Sequence, residues 1–319
     1  MSILRYRVTP EAPFATPLRS DTLHGQLLCA ARELDGEGAV GELIQAFEAG
    51  EAPFVTGSAF PEGMLPMPVL PGIPREAFAD MAASRRDLGG NLVDALAAYK
   101  RFRKVRFLPW DLFRERGGKV SMRGIFHAWL DAPQRFEAKA CEAAVESHNA
   151  IDRRLTTVRK TGGLFFSEVH FHEPGTVLDL LVRTTDAGRF ERYLEHVAAT
   201  GFGADASTGR GHFSIERDES FDGSPFDAQG SHHMTLSVAS AMDLSGFRGH
   251  YATFTKYGKI WSGFGEHNPF KKPFLAFAEG SVFSSIPAGG FVLRHIHADP
   301  KVVQVTWPLT LPLTLEAGP

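Results

Sequence analysis

The chain has 319 residues, 43% of them hydrophobic and 22% charged. That is ample material for roughly two domains with buried cores, and it excludes a mainly disordered chain. With 34 basic against 37 acidic residues the net charge is −3, an average that speaks against a nucleic-acid binder.

Ile3–Val8 alternates apolar and polar residues and predicts a strand. After a loop over Pro10–Pro17, Ser20 and Asp21 offer N-caps to a helix whose stripe is Leu23, Leu27, Ala31 and Leu34. Asp35–Gly41 breaks it, and Glu42–Ala49 predicts a second helix. The six prolines of Pro53–Pro74 exclude a long regular element there. A helix follows over Leu92–Tyr99, and then Lys100, Arg101, Arg103, Lys104 and Arg106 crowd into seven residues. From Arg85 to Arg123 eleven basic residues face four acidic ones, a window of +7 that leaves −10 for the remainder. The average charge therefore hides a local basic patch.

Gly163–Phe171 predicts a strand, Glu173–Gly175 a turn and Thr176–Thr184 a second strand, read together as a hairpin. Asp186 caps a helix with the face Phe190, Leu194 and Val197. A glycine-rich loop runs from it to a strand at His212–Glu216. Joined to the first strand and helix, this spells βαββαβ with an insertion at about 35–160. The expected division is residues 1–217, a linker at 218–231, and a second unit at 232–319. Strands are expected there at Met234–Ser240, Phe291–His297 and Val302–Trp307. Pro308 and Pro312 place the last segment at an edge or tail.

Cys29 and Cys141 exclude a disulfide framework and a four-thiolate zinc site, and both are expected in apolar surroundings in a reducing compartment. Residues 1–14 lack the apolar core of a signal peptide, and no run approaches ~18 apolar residues, so a cytoplasmic chain without a membrane partner is expected.

Gly36–Gly41 matches GxGxxG, but a helix precedes it where a dinucleotide site needs a strand, so it reads as an interhelical turn. No P-loop or nucleophile elbow is present. His170 with His172, and His295 with His297 beside Asp299, would each share a strand face, the weak outline of a metal-dependent hydrolase. His24 near a helix start, with Arg19 as a cation, is the outline of a metal-independent ribonuclease. The densest pattern is Thr200–Phe213. Gly201, Gly203, Gly209 and Gly211 permit positive φ, Ser207 and Thr208 carry hydroxyls, and Arg210 a guanidinium. Such a loop either cradles phosphate or just turns the chain.

That loop resembles the glycine-rich loop of RAMP-superfamily CRISPR proteins. Pro17–Gly25, Pro53–Pro61 with Leu65–Pro68, the basic run ending Phe107-Leu108-Pro109, His148–Arg153 with Thr156, and Lys272–Phe274 with Glu279–Ser281 are similar to further family segments in the same order. Within that superfamily the chain resembles the fourth subunit of type III-A (Csm) effector complexes. The resemblance implies an α+β protein of two ferredoxin-like (RRM-like) domains, the first with the large insertion. It implies a non-catalytic subunit that holds the crRNA 5′ handle and joins the large polymerase-like subunit to the backbone RAMP subunit, with no cofactor and no metal. The alternative within the superfamily is an endoribonuclease processing repeat RNA. Expected RNA contacts are Gly201, Gly203, Ser207, Thr208, Gly209, Arg210 and Gly211 in the loop, and Arg19, Ser20 and His24 at the helix start. Lys100, Arg101, Lys271 and Lys272 are expected on RNA or on a partner protein.

Overall fold

The computed structural model describes residues 2–85, 88, 91–139, 141–149, 151–152, 157–158, 163–260 and 268–316. Its main elements are β1 (Ser2–Pro10), α1 (Ser20–Asp35), α2 (Glu37–Ala49), β2 (Phe54–Thr56), α3 (Arg75–Ser84), α4 (Leu92–Phe102), α5 (Trp110–Glu115), α6 (Met122–Asp131), β3 (Cys141–Asn149), β4 (Leu164–His172), β5 (Leu178–Thr184), α7 (Ala187–Thr200) and β6 (Phe213–Arg217). They continue with β7 (His232–Thr235), β8 (Arg248–His250), β9 (Thr253–Lys256), β10 (Phe274–Phe277), β11 (Val282–Ser285) and β12 (Thr310–Leu315). The fold is α+β.

The N-terminal sheet has the order β6-β1-β5-β2, with every pair antiparallel. With α1 and α7 this is the βαββαβ order, but its second strand is β2, not the segment near residue 165. After Thr56 the chain pairs with β5 once more, at Phe60–Pro61, before it leaves the sheet, so the insertion falls later than the sequence suggests. Burial explains the exchange. Six of the seven residues of β5 are buried, a central strand covered on both faces, whereas β4 is mostly exposed. β4 pairs instead with β3, in unbroken register from Leu164–Asn149 to His172–Cys141, as a separate two-stranded ribbon. The expected β4–β5 hairpin does not form.

Helix α1 buries Leu23, Leu27, Ala30 and Ala31 on the sheet, and Leu34 stays exposed. Gly36, at φ 90°, ends α1 and begins α2, so the interhelical turn is this one residue, and Glu37–Gly41, expected as part of the break, form the first turns of α2. Neither Ser20 nor Asp21 caps α1. Arg19 holds the N-cap position without a side-chain bond, while Asn91 and Asp186 do cap α4 and α7.

The C-terminal sheet runs β8-β11-β7-β12, and Lys119–Val120 of the insertion adds to β12 in parallel. Among the described residues this unit is built of strands and single 3₁₀ turns, with no α-helix. It thus lacks the two helices of a complete ferredoxin-like repeat. The sequence misleads at Pro312, which lies in an interior strand. The Leu236 N–H donates to the Leu309 carbonyl (2.8 Å), so alternation makes His233–Pro312 a non-hydrogen-bonded pair. The parallel neighbour begins pairing only at Thr314. No partner needs the missing N–H. The short expected strand at Phe291–His297 shrinks to Val292–Leu293, and that at Val302–Trp307 to Gln304–Val305. Residues 218–231 are largely exposed but anchored at two points: Arg5 Nε donates to Asp218 Oδ2 (2.9 Å), and Phe226 is buried against Trp110.

The two sheets share one apolar core, and a polar seam crosses between them at the start of α1. The Arg19 guanidinium makes two bonds to Glu279 (2.9 and 2.5 Å) and lies 4.5 Å over the Phe254 ring. Ser58 Oγ donates to Glu279 (2.5 Å) and accepts from the Ser20 N–H (3.0 Å). The Val238 N–H donates to Ser20 Oγ (2.8 Å). Lys256 Nζ sits 2.6 Å from the buried Asp21 carboxylate. Burial pulls Arg19's pKa down, yet the bonds from Glu279 outweigh it and hold the guanidinium charged. Because each ion is sequestered from water, removing one partner strands the other. Arg19→Ala and Glu279→Ala should each cost about 2–3 kcal/mol in denaturant unfolding, and the double variant little more than either. Additive losses would show that the two side chains act separately.

Candidate nucleic-acid interface

The glycine-rich loop closes on itself. Phe202 N–H donates to the Gly211 carbonyl (2.9 Å), Gly211 N–H to Pro13 (2.9 Å), and the Thr208 and Arg210 amides to Asp205 (3.0 and 3.3 Å). A Cβ on Gly211 would stand 2.1 Å from the Phe202 carbonyl, and one on Gly203 2.5 Å from Thr16. These two glycines, and Gly201 below Arg210, are therefore demanded by the loop's own packing. Gly209 is different, with φ 92° but open space around it. Ser207, Thr208 and Gly209 form an exposed rim beside Asp205, whose carboxylate opposes an anion.

Arg210 is committed too. Its Nη2 donates to both oxygens of Glu146 on β3 (2.9 and 2.8 Å). With the Phe14–His170 backbone bridge, this pair ties the β3–β4 ribbon to the loop. The ribbon projects an apolar surface: Phe165, Phe166, Val145 and Leu164 are exposed, and Phe165 stacks on His148 with centroids 5.0 Å apart. Single-sequence reading missed this surface. Its signal was the neighbouring pair Phe165-Phe166, which on a two-stranded ribbon must point to opposite sides, leaving one ring without a core. Ala150, Arg153 and Thr156 of the middle motif lie outside the described residues.

The helix-start residues do not form an accessible site. Ser20 is buried in the seam, and Arg19 is engaged by Glu279. His24 is 1% exposed, parallel to the Phe54 ring at 6.0 Å and edge-on to Phe47. Its Nδ1 donates to the Ser20 carbonyl (2.7 Å), and burial lowers its pKa to about 4. A proton shuttle needs access to substrate, so the ribonuclease outline at His24 fails on position. Sequence showed a histidine near a helix start, but not which way it faced.

Lys100 and Arg101 sit exposed at the end of α4 with Arg103, Lys104 and Arg106. Leu92, Val93 and Leu96 of the same helix are also exposed. Lys271 is turned inward. Its Nζ donates to the Val303 carbonyl (3.0 Å) and Gln304 Oε1 (2.9 Å), and burial lowers its pKa to about 8. Lys272 is exposed. Gly280 of the C-terminal motif has φ 86°, and a Cβ there would meet the Met67 carbonyl at 2.3 Å, which explains why glycine follows Glu279.

Of the two histidine pairs, His170 and His172 do share a face of β4, whereas His295 and His297 separate. His297 is buried, its Nε2 donating to the Asn268 carbonyl (2.9 Å) and its Nδ1 accepting from the Asp299 N–H (3.0 Å). His295 lies outside any strand with φ 60°. His172 Nε2 stands 3.9 Å from Cys141 Sγ. Among the described residues no three His, Cys, Asp or Glu side chains converge as metal ligands. Cys141 is exposed on the ribbon, contrary to the expected apolar burial, and Cys29 is half-buried. Among the described residues no helix is long and apolar enough to cross a membrane.

No family model matches the chain, and no curated protein does. Solved structures do. A chain of the Csm1-Csm4 cassette in complex with pppApA superposes with a TM-score of 0.56 at 17% identity, covering 99% of this chain and 100% of that one. A chain of the Csm3-Csm4 subcomplex of the type III-A CRISPR-Cas interference complex gives 0.57 at 14%, covering 97% and 99%. Csm4 is common to both assemblies. At these identities the likeness is one of fold, over 97–99% of this chain.

Two outcomes test the geometry. Gly211→Ala should destabilise the protein by roughly 3 kcal/mol and Gly209→Ala by about 1, since both carry positive φ but only Gly211 lacks room. His24 takes up a proton less readily folded than unfolded. Its contribution is therefore complete above pH ~6.5 and is lost as pH falls toward about 4, at most about 3 kcal/mol. His24→Phe should flatten that part of a stability–pH profile measured by thermal unfolding; an unchanged profile would show that His24 is not its source.

Proposed function

We propose that this chain is a non-catalytic RNA-binding assembly subunit of a type III-A CRISPR interference complex. In this reading it holds the 5′ handle of the crRNA and joins the large signalling subunit to the backbone subunit. The observation that carries it is the end-to-end fold likeness to Csm4 as solved with Csm1 and with Csm3. Three features of the surface support it. The +7 window of residues 85–123 places exposed cations on α4. The exposed rim Ser207–Gly209 offers the hydroxyls of Ser207 and Thr208 next to Arg210. The β3–β4 ribbon stands beside that rim with exposed rings that bases can stack on. A grip of this kind suits an acidic chain, because surplus positive charge elsewhere would collect RNA without selection.

Sequencing the 5′ ends of RNA that copurifies with the assembled complex tests the role. The proposal expects small RNAs that share one 5′ sequence, and random ends or no RNA would refute it. The Arg210–Glu146 pair gives a finer test. If Arg210 exchanges Glu146 for phosphate, Glu146→Gln frees the guanidinium and should tighten RNA binding several-fold, while Arg210→Ala weakens it. Equal affinities across a salt series would mean that Arg210 only anchors the ribbon.

A further inference from the structure

The C-terminal unit carries a second two-stranded ribbon, β9 with β10, extended past Lys256 by the Lys259–Phe270 bridge. From Thr253 to Ile260 exposure alternates without a break. The inward face is fully engaged: Phe254 lies under the Arg19 guanidinium, Lys256 pairs with Asp21, and Lys271 reaches the Val303 and Gln304 oxygens. Side chains on a strand alternate between faces. The inward residues therefore fix the opposite ones, Thr255, Tyr257 and Lys259 with Leu275 and Phe270 across the ladder, as an outward face on a rigid support.

That face is unusual for this chain. Tyr257 is 74% exposed and Phe270 57%. Lys259 Nζ lies 5.2 Å from the centre of the Phe270 ring, and Lys272 stands exposed beside it. Among the described residues the outward face has no carboxylate, although the sequence outside 85–123 carries a net −10. Exposed rings on a sheet face with lysines between them suit stacked bases and the phosphates that link them. They do not suit an acid-rich or basic protein surface equally well, since the rings need flat partners and the lysines need anions.

We infer that the outward face of the β9–β10 ribbon binds single-stranded RNA, with bases stacking on Tyr257 and Phe270 and phosphates paired with Lys259 and Lys272. This rests on the proposed RNA-holding role and adds a surface to it on the far side of the polar seam from the glycine-rich loop.

The test is fluorescence anisotropy of the full chain with a labelled eight-nucleotide RNA of mixed sequence, over a salt series. Tyr257→Ala and Phe270→Ala should each weaken binding by about 5- to 100-fold. Tyr257→Phe, which keeps the ring, should stay within about twofold of the wild type. Lys259→Ala should lower the slope of log affinity against log salt by about 0.7, the value for one phosphate contact on a single strand. If an alanine variant is misfolded by circular dichroism, the Lys259→Ala slope still decides, because that side chain is exposed. A folded Tyr257→Ala/Phe270→Ala double variant that binds as tightly as the wild type would overturn the assignment while leaving the RNA-holding role intact. Failure of the wild type to bind would overturn both. Loss of subunit association with RNA affinity kept would make this face a protein contact and overturn the inference.

Discussion

The structure depends on a small set of charges held out of water at the first turn of α1. Arg19 with Glu279 and Asp21 with Lys256 each join the N-terminal helix to the C-terminal strands. Such pairs contribute little net stability compared with apolar packing, but they are expensive to leave half-formed. They therefore select one alignment of the two sheets. Ser20, Ser58 and Gln304 add hydrogen bonds around them, the last to the Asp21 carbonyl. The same contacts set the height and tilt of the β9–β10 ribbon, since Phe254, Lys256 and Lys271 on its inner side are all held there.

This arrangement changes the meaning of residues that look like an anion site in one dimension. A serine, an aspartate, an arginine and a histidine at a helix start match the chemistry of phosphate binding. Here the serine, the aspartate and the arginine find partners some 220 to 260 residues away, at Val238, Lys256 and Glu279, and nothing local in the sequence reports them. Arg210 repeats the lesson: its partner Glu146 lies in the expected insertion, on a strand that local pattern does not announce.

What was legible is what depends on short-range chemistry. The strand–helix start, the caps at Asp186, the buried face Phe190-Leu194-Val197 and the interhelical turn at Gly36 all follow from period and punctuation. The glycine-rich loop was legible as a special backbone, though not as one that folds inward on Phe202 and Pro13. The strand exchange was hidden because β2 has only three residues, too few to show a period, whereas β4 has nine. Pro312 misled because the cost of a missing N–H depends on the neighbour strand, which only topology supplies.

Charge ties these points together. The cations around the candidate surfaces divide into those bonded within the fold (Arg19, Lys256, Lys271 and Arg210) and those left to solvent on α4, at Lys259 and at Lys272. An RNA would be met by the second group, by Arg210 where it exchanges Glu146 for phosphate, and by exposed rings, not by the helix start. Photo-cross-linking of the full chain to single-stranded RNA containing 4-thiouridine, mapped by mass spectrometry, tests this most directly. The account predicts adducts on Tyr257 or Phe270 and none on Ser20 or His24. Adducts confined to residues 19–24 would contradict it.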